Sequence, residues 1–255
     1  DYYPKLVTSI PFSPVTGPRV LTKKPLSEVL PVLTQIIQQI CAERKISSWH
    51  GLFFDDNQHS HLKTQGFEHR LGTQYHWFNK GYNSFEHFLE AFNSRKRKSI
   101  KRERQKIMEQ GITLHCIEGS DITETLLNTF YHCYHLTHLK RGRQGYLNQD
   151  FFRDLLKNMP EQIVLFAAQH QSEYVATALC FKDNQTLYGR YWGCIEEFHS
   201  LHFETCFYTG IEYCIQHGLQ RFDPGAQGEH KIQRGFEPIE TWSCHYISNP
   251  SFKHA

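Results

Sequence analysis

The sequence predicts a mixed α/β fold, an α+β arrangement on a largely antiparallel sheet, and three observations carry that expectation. Apolar residues recur at helical spacing in several segments of eleven residues or more. Three alternating runs, 163–170, 174–181 and 187–193, are separated by turns of only three to five residues, too short for a parallel crossover. A further helical segment then separates these runs from two late strands.

In chain order, residues 1–25 are rich in proline, serine and threonine and read as extended chain, with Ser13–Arg19 as a turn-rich loop. Leu26–Arg44 carries apolar residues at 26, 29, 30, 33, 36, 37 and 40, a helical stripe with Pro25 or Ser27 at its start. Residues 47–54 and 75–79 read as strands, and Phe85–Gln110 as one helix. Ile112–Ile117 alternates as a strand, Ile122–His138 and Asn148–Asn158 are helical, and the three-stranded meander follows. Phe203–His217 is a helix ended by Gly218, followed by a short strand at 219–223, a polar loop running into a helix, and a last strand at Thr241–Ile247. Strand, two helices, three antiparallel strands, helix, strand, helix, strand is the wiring of a GNAT-like acyltransferase fold.

Composition narrows the classes. The 255 residues suffice for one large domain or two small ones. The longest clean apolar run, Ile163–Ala168, falls far short of the roughly eighteen residues of a membrane span, so a soluble protein is expected. Eight cysteines stand singly without a C-x-x-C pair, mostly in apolar stretches, and read as reduced thiols of a cytoplasmic protein. A net charge of +2 argues against a chain that coats nucleic acid along its whole surface, although the seventeen histidines raise it in acid. The charge is concentrated locally: Ser94–Lys106 holds eight lysines and arginines against one glutamate, with no aromatic residue for base stacking.

The densest polar chemistry is Asp223–Pro238, "DPGAQGEHKIQRGFEP", in which glycines at 225, 228 and 235 free the backbone for turns and close approach. That segment, together with "YYPKLVTSIPFSPVTGPRVL" and "RYWGCIEEFHSLHFETCFYTGIEYCIQHGL", resembles the FemAB-like N-acyltransferases, a bacterial group associated with peptidoglycan biosynthesis or recognition. The resemblance implies two GNAT-like halves: residues 1–80 a first half that is N-terminally incomplete, 81–110 a basic helical connection, and 111–255 a complete second half.

The chemistry so implied is attack of an amine on an ester or thioester carbonyl. A free alkyl amine is protonated at neutral pH, and presenting it neutral costs on the order of 4 kcal/mol, which a positioned base offsets. Glu229, His230 and Glu204 are the candidate bases. Lys231 stands four residues before Gly235 of the "GF" pair, where GNAT enzymes often carry a tyrosine that protonates the leaving group; here the residue type differs. On the strand that splays in GNAT folds, Arg190, Tyr191 and Trp192 are expected to bind substrate or donor, together with His202, Gln227, Arg234 and, in the first loop, Arg19.

No tightly bound cofactor and no metal are expected; His132, His135 and His138 share a helical face but read as amphipathic surface. The co-substrate is aminoacyl-tRNA or acyl-CoA. Aminoacyl-tRNA is favoured because "CIEEFHSLHFET" lacks the glycines that cradle pyrophosphate and places acids at 196, 197 and 204. In that reading Arg95–Lys106 contacts tRNA, and the acceptor is a small-molecule or cell-wall-precursor amine. The alternative is a non-catalytic module that binds a peptidoglycan precursor or RNA on a degenerate GNAT fold.

Overall fold

A computed structural model describes residues 3–226 and 228–248. In chain order the elements are β1 (Lys5–Thr8), α1 (Leu26–Glu43), β2 (Ser48–Phe54), α2 (Asp56–Leu62), β3 (Glu68–Phe78), α3 (Phe85–Glu90), α4 (Ser94–Glu109), β4 (Ile112–Glu118), α5 (Glu124–Leu139) and α6 (Gln149–Asn158). They continue with β5 (Ile163–His170), β6 (Glu173–Lys182), β7 (Thr186–Cys194), α7 (Leu201–Phe203), a π-helical turn (Glu204–Tyr208), α8 (Thr209–Gln216), β8 (Arg221–Asp223), a 3₁₀ turn (Glu229–Arg234) and β9 (Glu237–Ile247). Two compact units result, one from residues 1–74 and 238–255, the other from 75–237.

In the first unit β1 runs parallel to β2 and β2 antiparallel to β9. The stripe foreseen on α1 buries Leu30, Ile37 and Cys41 against Trp49 and Phe54 of β2 and Cys244 of β9. The last strand starts four residues before the sequence expectation, at Glu237, and pairs with β2 rather than with the meander.

In the second unit the strand order is β3-β8-β7-β6-β5-β4, all antiparallel except β7 with β8. Residues 163–168 of β5 are buried on both faces because helices cover each side. Val164 and Phe166 meet Phe207, Tyr208 and Ile211, while Ile163, Leu165 and Ala167 meet Phe130 and Phe152 of α5 and α6. The helix expected over 85–110 is two: Asn93 caps a new start, its side chain accepting the Lys96 N–H at 2.9 Å. The compact units also draw a different boundary from the sequence, since 81–110 is part of the second unit's core. Phe85, Phe88, Leu89 and Ile100 are buried there.

Candidate active site

β7 and β8 pair in parallel only over Thr186↔Arg221, Leu187↔Phe222 and Tyr188↔Asp223. β8 ends at Asp223, and Pro224 and Gly225 turn the chain aside, Gly225 at φ +86°. Beyond Tyr188 the β8-facing backbone of β7 therefore has no strand partner. On the other edge, Leu179 pairs with Tyr191 and Cys180 with Gly189, which makes Arg190 the extra residue of a β-bulge. A cavity of about 330 Å³ occupies the gap, lined by Gly189–Trp192 of β7, by His202, Cys206 and Phe207, and by Pro224, Ala226, Gly228, His230 and Lys231, with Arg141 at the end of α5.

Lys231 is 3% exposed and its Nζ donates to the Gly225 carbonyl at 2.7 Å, closing the turn that begins with Asp223 accepting the Gly225 N–H at 2.9 Å. Burial lowers its pKa to about 8 against the opposing attraction of Asp223. Gly235 at φ +85° ends the 3₁₀ turn and lets the Phe236 N–H return to the Lys231 carbonyl at 3.3 Å. His230 stands against Phe203 and Phe207, ring centroids 5.9 and 5.7 Å away, and burial holds its pKa below the ordinary histidine range. His202 lies 5.3 Å from the Trp192 ring. Its accessible surface opens into the concave cavity, and that enclosure, reinforced by His230, Arg234 and Lys231, pushes its pKa down to about 4. The Arg190 guanidinium sits 5.1 Å from the Tyr191 ring centroid. Tyr191 packs on Tyr134 and Phe152, and burial raises its phenol. Among the described residues neither Arg190 nor Arg141 has a hydrogen-bond or ion-pair partner through its side chain, so both present charge to the cavity.

The structure thus brings Lys231, His230, His202, Arg190, Tyr191 and Trp192 together. It does not bring the two carboxylates. Glu204 is 4% exposed and its carboxylate is held by Arg104, whose Nε reaches Oε1 and Oε2 at 3.0 and 3.3 Å and whose Nη2 reaches Glu212 at 2.7 Å. That pairing leaves Glu204 unavailable as a base. Glu229 is exposed and lies outside the cavity lining, because it opens the 3₁₀ turn on the solvent side. Arg234 is also absent from the lining: its guanidinium stacks 3.4 Å from the Phe203 ring centroid and donates to Glu103 at 3.1 Å and to the His230 carbonyl at 3.0 Å. Arg234 therefore fixes the backbone beside His230. Arg19 belongs to the first unit, where it donates to the carbonyls of Leu52, Gly17 and Val15 and ties its own loop. Gln227 lies outside the described residues.

Reading the sequence missed Arg141, Cys206 and Asp223. "DPG" is a turn signature that could have drawn attention to Asp223 as an organiser of the lysine, whereas Arg141 sits in a loop with no periodic signal. The Cys206 thiol is raised well above its ordinary pKa by burial and is an inert part of the wall. Of the eight basic residues in 94–106, Arg95, Lys98, Lys101 and Arg102 are exposed, while Lys96, Arg97 and Arg104 bond to Gln233, the Phe92 carbonyl and the glutamates.

No curated protein sequence matches this chain. Solved structures share its fold at low identity. They include L-PGS from Bacillus licheniformis (TM-score 0.62, 11% identity, 89% of this chain and 76% of that one). A C-terminal domain assigned to lysylphosphatidylglycerol synthetase from Agrobacterium fabrum is also similar (0.61, 12%, 86% and 74%). FemX overlaps still more of the chain (0.59, 14%, 96% and 84%). The mixed α/β class expected from element order is the class found, in a fold shared with FemX. With the family model for FemAB-like proteins, described as peptidoglycan biosynthesis/recognition, matching residues 1–255, the chain belongs to the FemAB-like family.

Proposed function

We propose that the protein is an N-acyltransferase that moves an aminoacyl group from aminoacyl-tRNA to an amine of a cell-wall precursor, at the cavity between β7 and β8. The observation that carries this reading is the convergence of a buried lysine with a depressed pKa, a histidine held neutral and two unpaired guanidinium groups on one gap in the sheet.

In the proposed reaction the amine nitrogen attacks the ester carbonyl carbon, forming the C–N bond. His230 takes the amine proton. The tetrahedral oxyanion is met by the unpaired backbone edge of β7 and by Arg190, one such donor contributing roughly a hundredfold to a thousandfold in rate. As the C–O bond breaks, the Lys231 ammonium gives a proton to the departing ribose oxygen. A pKa of about 8 suits that task better than an ordinary lysine, because proton donation near neutral pH is favoured when the acid's pKa lies close to it.

The donor assignment rests on three supports. The segment running into α7, residues 194–204, has no glycine to cradle pyrophosphate and carries exposed Glu196, while Glu197 is paired with Lys140 at 2.5 Å. The four outward basic side chains of α4 offer a contact to tRNA phosphates. Fold neighbours described as lysylphosphatidylglycerol synthetases make aminoacyl donors the first class to try. The test is product mass after incubation of the protein with charged tRNAs, or in parallel with acyl-CoAs, and a peptidoglycan-precursor amine. Aminoacylated product from tRNA alone is expected. Product from acyl-CoA alone overturns the donor, and product from neither, with every precursor, overturns the enzyme in favour of a binding module.

A further inference from the structure

The first unit holds a second cluster of chemistry-bearing side chains, formed by His59 of α2, His69 of β3 and Cys244 of β9. His59 Nε2 is 3.0 Å from His69 Nδ1, Cys244 Sγ is 3.4 Å from the same nitrogen, and the three atoms all lie within 4.8 Å of one another. Tetrahedral Zn²⁺ with Zn–N of about 2.0–2.1 Å and Zn–S of about 2.3 Å sets its nitrogens about 3.3 Å apart and nitrogen from sulfur about 3.6 Å apart. The observed spacings fall within a few tenths of an ångström of both.

Three separate elements hold the three side chains, and His59 is fixed twice over. Asp55 caps α2 by accepting the Gln58 N–H at 2.7 Å, and the His59 ring stacks on Trp242 at 4.2 Å and 14°. His59 and Cys244 are 3% and 0% exposed, so a cation there is shielded from bulk water. Burial depresses both imidazoles and pushes the thiol up to about 12. One of the two facing ring nitrogens donates to the other, and a shift of that proton to the far ring nitrogen turns both lone pairs toward a metal. The nearby His245 is already engaged, with His50 at 2.7 Å and Ser243 at 2.9 Å. Among the described residues no fourth histidine, cysteine or carboxylate joins the set.

We propose that His59, His69 and Cys244 form a binding site for Zn²⁺ or a similarly borderline-soft divalent cation, its fourth position left to water or an exogenous ligand. Because a cysteine binds a metal as its thiolate and a histidine as its neutral imidazole, loading the site displaces the Cys244 thiol proton.

The experiment is titration of the chelator-treated full chain with Co²⁺ and then Zn²⁺. One equivalent of Co²⁺ should give a thiolate-to-metal charge-transfer band with intense tetrahedral visible bands, and Zn²⁺ should displace it. Calorimetry in two buffers of different ionisation enthalpy should find about one proton released per Zn²⁺. Cys244→Ser should abolish the thiolate band, and His59→Gln should weaken binding at least tenfold. Absence of the band in the unaltered protein overturns the site, as does a band that survives Cys244→Ser through another thiol. Should Cys244→Ser fail to fold, unchanged affinity in His59→Gln overturns it equally.

Discussion

On the α4 side of the second unit, Arg104 holds Glu204 and Glu212, and Arg234 holds Glu103, whose carboxylate also accepts the Tyr208 hydroxyl at 2.5 Å. In the cavity between β7 and β8, Lys231, Arg190 and Arg141 line the wall, and none is in salt-bridge contact with a carboxylate among the described residues. Both regions draw on the same two sequence stretches, 201–216 and 223–238, so residue type alone does not separate them. What separates them is neutralisation. A buried charge with its counter-ion in place holds elements together, whereas charge left unmatched at a gap in a sheet is available to a ligand.

The contrast is broken first by Arg104→Ala. Removing the cation leaves Glu204 buried without its counter-ion, and a loss of about 3–5 kcal/mol in unfolding free energy is expected by denaturant titration. A loss below about 1 kcal/mol would show that the pair is a surface ornament. Lys231→Ala comes next: the same measurement should find the fold retained, while the transfer rate drops roughly a hundredfold to a thousandfold. Arg190→Ala should lower kcat roughly a hundredfold with a smaller change in KM for the donor, since it removes a group that meets the oxyanion only in the transition state. The smallest effect belongs to Glu229→Gln, where exposure and distance from the lining predict activity within about twofold and stability within about 0.5 kcal/mol of the parent.

Lys231 also sharpens the comparison through pH. Its folded pKa lies below the unfolded value, so the unfolded chain binds more protons between about 8 and the ordinary lysine value, and the lysine makes stability rise with pH across that window. Activity should move the opposite way, falling as pH rises through about 8 because the acid is lost. For tRNA binding, the four outward basic residues of α4 predict a log–log salt slope of about −3 to −4, and reversal of those charges should flatten it.

Much of this division was legible in the residues. Ile100, Arg104 and Ile107 share a helical face, as do Glu204, Tyr208 and Ile211, so each partner of the buried pair sits on an apolar stripe where only a neutralised charge is tolerated. The density of charge in the basic run masks that periodicity. The meander followed from alternation and turn length, and the helical segment before β8 from apolar spacing and Gly218, though not the π-helical turn at Glu204–Tyr208 within it. The Arg190 bulge did not, since one extra residue in a strand leaves the apolar pattern nearly unchanged. The placement of β9 was equally hidden: its alternation says that it is a strand and says nothing of its partners, one of which is β2, nearly two hundred residues earlier. For the same reason the His59, His69 and Cys244 cluster has no linear motif. His59 and His69 are ten residues apart on a helix and a strand, and Cys244, 175 residues beyond His69, joins them only in the folded unit.

The central claim is that the gap beside β7 is where the acyl group changes hands. Single-turnover transfer from charged tRNA, followed against pH for the parent and for Lys231→Arg, tests it most directly. A descending limb near pH 8 in the parent that disappears toward higher pH in the variant is the expected result. Identical profiles and rates in the two proteins would contradict it.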